Sequence, residues 1–342
     1  MNSTLEFSQT EIEQIHKTLA RFPMGSQLAI ARVVSGSPTF YGATKESNGV
    51  KFTDNCCSVF DIGSVAKVFT SAILAKLIEN KALNLDDSVF DILTSTHHSD
   101  TRITLKQLAN HTSGLPRIPP KLWRNMFNKK RHNPYAEFDQ QKLHSYLRSK
   151  IKLNKQGKFG YSNLGAGLLG HSLSVFVERP YESILQDNIC QPLGLLSTTT
   201  VRESIKDNLV VGLDKKGNPV PYWDLGALLG AGGIYSCVSD LAHFAIANMD
   251  EANSFLTLQR KETEVINKKM SVGLGWLIGK QAEPKDDIHF HDGGSGGFTS
   301  LIRMNVHSKT AVVILSNISP FHIIKVTAIP KLARTLYRNK ID

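Results

Sequence analysis

The sequence predicts an α+β fold: an antiparallel sheet drawn from both ends of the chain, flanked by helices and interrupted by an inserted all-helical domain. Three observations carry this. Short alternating, β-branched segments occur near the start and again after Val272, the stretch between them carries helical patterns, and one helix beginning near Ser64 is apolar nearly all round. Strands at both ends with helices between them bury their apolar faces as one sheet with helices against it. The predicted boundaries are 1–83 with 232–342 for the sheet domain and 84–231 for the mainly helical domain.

The elements follow in order. The opening MNSTLEFSQTEIEQIHKTLARF reads as an amphipathic helix with Ile12, Ile15, Leu19 and Phe22 on one side. It has no apolar h-region and no small-residue cleavage site, so it does not read as a signal peptide, and the expected location is cytoplasmic. SQLAIARVV (26–34) alternates as a strand, PTFYGAT (38–44) reads as its hairpin partner, and CSVFDIG (57–63) is short and extended. SVAKVFTSAILAKLIENKAL (64–83) is a long helix of the kind buried in a core. Residues 86–204 carry mainly helical patterns and polar loops, among them ITLKQLANHTSGLP, a short helix stopped by Ser-Gly and Pro. After Val272, VGLGWLIG, IHFHDGG, GFTSLIRMN and TAVVILSN read as four short strands, and a last helix is expected over about 321–338.

Composition excludes several classes. At 342 residues and 41% hydrophobic, the chain is neither disordered nor collagen-like and buries a large core. No run approaches the roughly 18 apolar residues of a membrane span. The cysteines (Cys56, Cys57, Cys190 and Cys237) form no C-x-x-C, so neither a zinc site nor a redox pair is indicated, and buried reduced thiols suit a reducing compartment. The net charge of +10 is local. Residues 124–158 hold ten Lys and Arg against two Asp and Glu, which is eight of those ten charges. Such a segment is either a solvated surface loop or a patch that recruits an anionic partner or a membrane surface. Nothing else resembles a nucleic-acid module, and no nucleic acid is expected.

Three short motifs carry chemistry. In Ser64-Val65-Ala66-Lys67, residues i and i+3 share a helix face, and the hydroxyl sits where free N–H groups favour developing negative charge. Apolar neighbours lower the pKa of Lys67 and make it a base. The same spacing recurs at Ser149-Lys150-Ile151-Lys152, but only the first copy opens a buried helix after a strand. In Tyr161-Ser162-Asn163, a tyrosine beside a cationic lysine is held partly as phenolate and relays a proton, and Asn163 bonds a substrate amide or the lysine. The alternative is a packed tyrosine with Asn163 capping the next helix. In His291-Asp292-Gly293-Gly294, glycines let substrate approach a strand, and the Gly294 N–H pairs with the Ser64 N–H as an oxyanion hole. His289 and His291 share a strand face, but no third metal ligand is evident near them.

FDIGSVAKVFTSAIL, LANHTSGLP, GYSNLGAGLLG, GAGGIYSCVSDLAHF, VGLGWLIG, HDGGSGGFTSLIRMN and AVVILSN occur in this order over about residues 28–317. Together they resemble the serine β-lactamase-like hydrolases related to class C β-lactamases and penicillin-binding proteins, a family that includes esterases, D-amino-acid peptidases, D,D-carboxypeptidases and acyltransferases. The resemblance implies a β-lactamase/transpeptidase-like fold and a serine hydrolase with no cofactor and no metal, acting on a small-molecule or peptide substrate. It implies that Ser64 is acylated, Lys67 assists its deprotonation, Tyr161 shuttles the proton, and Asn163, His291, Gly293 and Gly294 bind substrate. The family's lactamase branch has Lys-Thr-Gly where this chain has His291-Asp292-Gly293. A cation is thereby replaced by a mostly neutral side chain, so weak β-lactamase activity at most is expected. An acyltransferase using the same acyl-enzyme, or a binding protein keeping the fold, is the alternative. HTSGLP and GAGGIYSCVSD read as structural turns and caps, with Ser239 or Asp240 capping the following helix.

Overall fold

The structure is a computed structural model that describes residues 6–93, 102–119, 122, 133–149, 151–321 and 325–338. Among them, strands β1 (Gln27–Val34), β2 (Ser37–Glu46), β3 (Gly49–Phe52), β4 (Phe60–Asp61), β5 (Tyr235–Ser236), β6 (Glu264–Asn267), β7 (Met270–Val272), β8 (Leu277–Gly279), β9 (Ile288–Gly294), β10 (Thr299–Asn305) and β11 (Thr310–Ser316) are formed. Nine make one antiparallel sheet in the order β3-β2-β1-β11-β10-β9-β8-β7-β6. β1 pairs with β11, Ile30 opposite Ile314, so the two chain ends meet in mid-sheet. β4 and β5 form a separate two-stranded ribbon. The helices that matter for the site are α1 (Gln9–Leu19), α2 (Ala66–Glu79), α3 (Asn163–Val177), α4 (Val238–Met249) and α5 (Lys325–Arg338).

Alternation along β1 and β11 divides the side chains between two cores. Leu28, Ile30, Val312 and Ile314 pack with Ile15 and Leu19 of α1 and with Ile329, Leu332 and Leu336 of α5. Ala29, Ala31, Val33, Ala311, Val313 and Leu315 face the other way, into a core that contains Phe244 of α4, Phe69 of α2 and Leu168 of α3. Phe69 and Phe244 stack at 4.2 Å between ring centroids, which ties α2 to the helix lying on the sheet. β11 is buried on both faces, which is why TAVVILS is an unbroken apolar run.

The expected α+β architecture is present. Four short strands went unforeseen: β3, β5, β6 and β7. β3 and β6 are the sheet's two edges, where hydrogen bonding to one neighbour defines the strand and little apolar alternation is required. The extended segment at 57–63 contracts to β4, because Gly63–Val65 already turns as a 3₁₀ helix and α2 starts only at Ala66. The cap of α4 is neither Ser239 nor Asp240. Cys237 caps it, its Sγ accepting from the Asp240 N–H, while the Asp240 carboxylate is turned to Ser197 and Thr198. Of the basic segment, 124–132 and 150 lie outside the described residues. Lys142, Arg148, Lys152, Lys155 and Lys158 are exposed. No described helix is long and apolar enough to cross a membrane.

Candidate active site

The sharp turn before α2 brings the first motif to the end of β9. The Asp61 carboxylate accepts the Gly63 N–H at 2.8 Å, closing an Asx-type turn. Gly63 has φ +49°, and a Cβ there would stand 2.6 Å from the Gly294 nitrogen. A Cβ on Gly293 would meet the Ile62 carbonyl at 2.2 Å and the Ser64 nitrogen at 3.1 Å. Glycine is therefore required on both sides so that the backbones carrying the Ser64 and Gly294 amides can touch. Burial pushes the Asp61 carboxyl up to about 6, and the Gly63 N–H partly offsets it.

Lys67 lies on the first turn of α2, 2% exposed. Its Nζ donates to Ser64 Oγ at 2.9 Å and to the Ala231 carbonyl at 2.5 Å. Burial, helped by the Arg117 cation, holds Lys67 well below the usual ammonium range. Ala231 belongs to GAGGIYS, so that segment does more than turn: its carbonyl holds the lysine. One residue earlier, the Gly230 carbonyl accepts from Thr70 of α2.

Tyr161 and Asn163 sit at the start of α3. Ser162, not Asn163, caps the helix, its Oγ accepting from Gly165 N–H. Asn163 is freed for other work. Its Nδ2 donates to the Tyr135 hydroxyl at 3.0 Å, and its Oδ1 is buried without a partner. The Tyr161 ring lies 5.2 Å from Lys67 Nζ, and the Ser64 side chain is near enough to help hold its hydroxyl pKa down. Burial raises its pKa to about 12 despite Ser64 and Arg117 pulling it down. The expectation of a phenolate beside a cationic lysine is thus corrected: desolvation favours neutral forms of both groups.

His291 is 2% exposed on β9, its ring 6.2 Å from that of Tyr161. Nδ1–H donates to the Asp292 carbonyl at 3.0 Å, which leaves Nε2 as a buried acceptor without a partner. Burial, then Lys67, lowers its pKa to about 3. His289 turns to another neighbour, the Arg260 carbonyl at 3.2 Å. The described residues hold no group of three or more His, Cys, Asp or Glu able to bind a metal. The second S-x-x-K copy is elsewhere: Ser149 ends a surface helix with its hydroxyl on the Tyr146 carbonyl.

Five residues of the site escaped the sequence reading. His111, in HTSGLP, adopts φ +62°, packs its ring 4.5 Å from Tyr161 and accepts the Ser162 N–H. A non-glycine residue in that region is uncommon and concentrates at constrained sites. Arg117, just after HTSGLP, lies over the outer face of the site, 5.0 Å from the Tyr161 ring centroid. Tyr135 and Trp223 form an aromatic wall, 5.7 Å between centroids. Asp61, with Gly two residues on, had a readable turn signal. The other four depend on contacts between distant segments.

The Beta-lactamase family model matches residues 26–329. The chain is 26% identical over 302 residues to the D-alanyl-D-alanine-carboxypeptidase/endopeptidase AmpH of Escherichia coli, covering 82% of this chain and 76% of that one. It is also 26% identical over 352 residues to a beta-lactamase of Pseudomonas fluorescens, covering 90% and 94%. Among solved structures, the class C beta lactamase of Rhodobacter sphaeroides superposes with a TM-score of 0.79 at 21% identity, over 96% of this chain and 99% of that one.

Proposed function

The chain belongs to the Beta-lactamase family and is a serine hydrolase, and from that premise we propose that it cleaves esters, amides or peptides through an ester on Ser64, with weak β-lactamase activity at most. The observation that carries this reading is the 2.9 Å contact between Ser64 Oγ and a lysine amine whose pKa burial holds well below the usual ammonium range. A neutral amine has a lone pair for the Ser64 proton, and an ammonium does not.

Ser64 Oγ attacks the substrate carbonyl carbon as its proton passes to Lys67. The oxyanion is met by the Ser64 and Gly294 amides, preorganised by the glycine contact between the two backbones. When the tetrahedral species collapses, the carbonyl–leaving-group bond breaks and the Tyr161 hydroxyl gives its proton to the leaving oxygen or nitrogen. Tyr161 regains a proton from the Lys67 ammonium. Water then adds to the Ser64 ester, loses its proton to the same pair, and Ser64 departs as the alcohol.

Asn163 Oδ1 and His291 Nε2 are acceptors awaiting donors, which supports a substrate bearing N–H groups, an amide or peptide before a plain ester. The neutral His291 supplies no cation for a lactam carboxylate at this wall. The exposed lysines of the basic segment would add long-range attraction for anionic substrates or partners. Four free thiols support a reducing, cytoplasmic setting.

A fluorophosphonate probe followed by intact-mass and peptide analysis tests the nucleophile. One adduct on Ser64, lost in Ser64→Ala together with turnover of a short-chain p-nitrophenyl ester, is expected. Labelling at Ser149, or none with turnover intact, overturns the assignment.

A further inference from the structure

Three basic side chains around the nucleophile, Lys67, His111 and His291, are pushed toward their neutral forms by burial. The cation of the site is Arg117. Its side chain is exposed at the rim, with the guanidinium carbon 5.0 Å from the centre of the Tyr161 ring. Among the described residues no carboxylate forms an ion pair with it. The acid whose charge also reaches Tyr161 is Asp292, which leans toward Arg303 at 3.9 Å.

The backbone of Arg117 is pinned. Its carbonyl receives the Asn163 N–H at 2.8 Å, and the preceding Pro116 carbonyl accepts from the Ser162 hydroxyl at 2.7 Å. The guanidinium thus stands at a fixed origin beside the tyrosine proposed to protonate the leaving group. A planar guanidinium with open N–H donors matches a carboxylate, and stacking on an aromatic face leaves its edge free for that purpose.

We infer that Arg117 is the specificity-determining residue that recognises a carboxylate on the leaving-group side of the substrate, taking on the charge recognition that His291 does not supply. The inference rests on Ser64 and Tyr161 acting as proposed above. It names the substrate class that the site prefers: esters or amides whose departing half carries an anionic group.

The test compares two acetate esters with nearly the same leaving group, that of 4-hydroxybenzoate and that of its uncharged methyl ester. In Arg117→Gln the ratio of kcat/KM, charged over neutral, should fall about tenfold, mainly through KM, since the contact is half in water. Added salt should shrink the wild-type ratio toward that of the variant. Arg117→Lys should recover part of the loss. An unchanged ratio would overturn the inference. So would an equal loss of kcat on both esters, because Arg117 would then act through Tyr161 and not on substrate. Fluorophosphonate labelling of Ser64 in Arg117→Gln reports the fold and nucleophile separately. An unlabelled Ser64 in the wild-type protein sinks the underlying mechanism instead.

Discussion

The two faces of the central sheet are built from the same strands and serve opposite ends. On one face α1 and α5 lay amphipathic stripes over Leu28, Ile30, Val312 and Ile314, and the charge buried there is neutralised by a partner from a neighbouring element: Arg32 on Glu11 at 2.8 Å. On the other face small residues, Ala29, Ala31 and Ala311, accompany a helix layer in which Lys67, Thr70 and Ser71 of α2 are buried. Among the described residues no carboxylate pairs with Lys67; it is held by a carbonyl contributed 164 residues away. A buried charge with its counter-ion is a clamp. A buried amine with only a carbonyl and a hydroxyl is a base, because losing its proton relieves the desolvation cost.

The contrast can be broken at its functional side first. Lys67→Ala and Tyr161→Phe should each lower kcat by roughly a thousandfold, and the double variant should lose little more, since groups that act as a unit are non-additive. Single-turnover kinetics on all three variants would check it, and multiplicative losses would sink the idea of a shared proton path. The clamp should behave oppositely. Glu11→Ala takes the carboxylate away from the buried Arg32 guanidinium, so stability should fall by about 3 kcal/mol with kcat unchanged below the melting transition. Urea denaturation paired with an ester assay separates the two effects, and a matching loss of kcat would show that the faces are not independent.

Acid sharpens the comparison next. Burial lowers His171 and His289 to about 4 and His291 to about 3. All three lie away from α1 and α5. The unfolded chain takes up protons below pH 6.5 that the fold refuses, so stability is full above 6.5 and is lost as pH falls from 6.5 toward 4 and then 3. His289→Gln should recover about 2 kcal/mol of the loss between pH 7 and pH 5. Parallel pH profiles of variant and wild type in urea would contradict the assignment. The smallest effect expected is on specificity. His291→Lys should raise kcat/KM for a cephalosporin relative to a neutral ester by about tenfold, the value of one charge-assisted contact. Faster cephalosporin than ester hydrolysis by the unmutated protein would remove the premise.

Much of this was legible without coordinates. Alternation in SQLAIARVV and TAVVILSN, the apolar helix after Gly63, and the order of the motifs all report local geometry and a side chain's need to face a core. The chemistry of Ser64, Lys67, Tyr161 and Asn163 could be ranked because a serine at the mouth of a buried helix is rare, while Ser149 sits in a polar stretch. The edge strands β3 and β6 were hidden, since a short strand with one bonded neighbour needs no pattern of its own.

Sequence by itself determined the class of fold, the strands that form its centre and the residues able to carry acyl transfer, because periodicity and residue chemistry are properties of neighbours along the chain. Only the tertiary structure decided which of those residues carry charge. Lys67 is pushed toward its neutral form because the Ala231 segment and α3 close over it, His111 faces Tyr161 because a left-handed turn puts it there, and Arg117 stands as a cation beside the site because its carbonyl is fastened to α3. Protonation follows desolvation, and desolvation is set by whatever distant segments the fold lays on top.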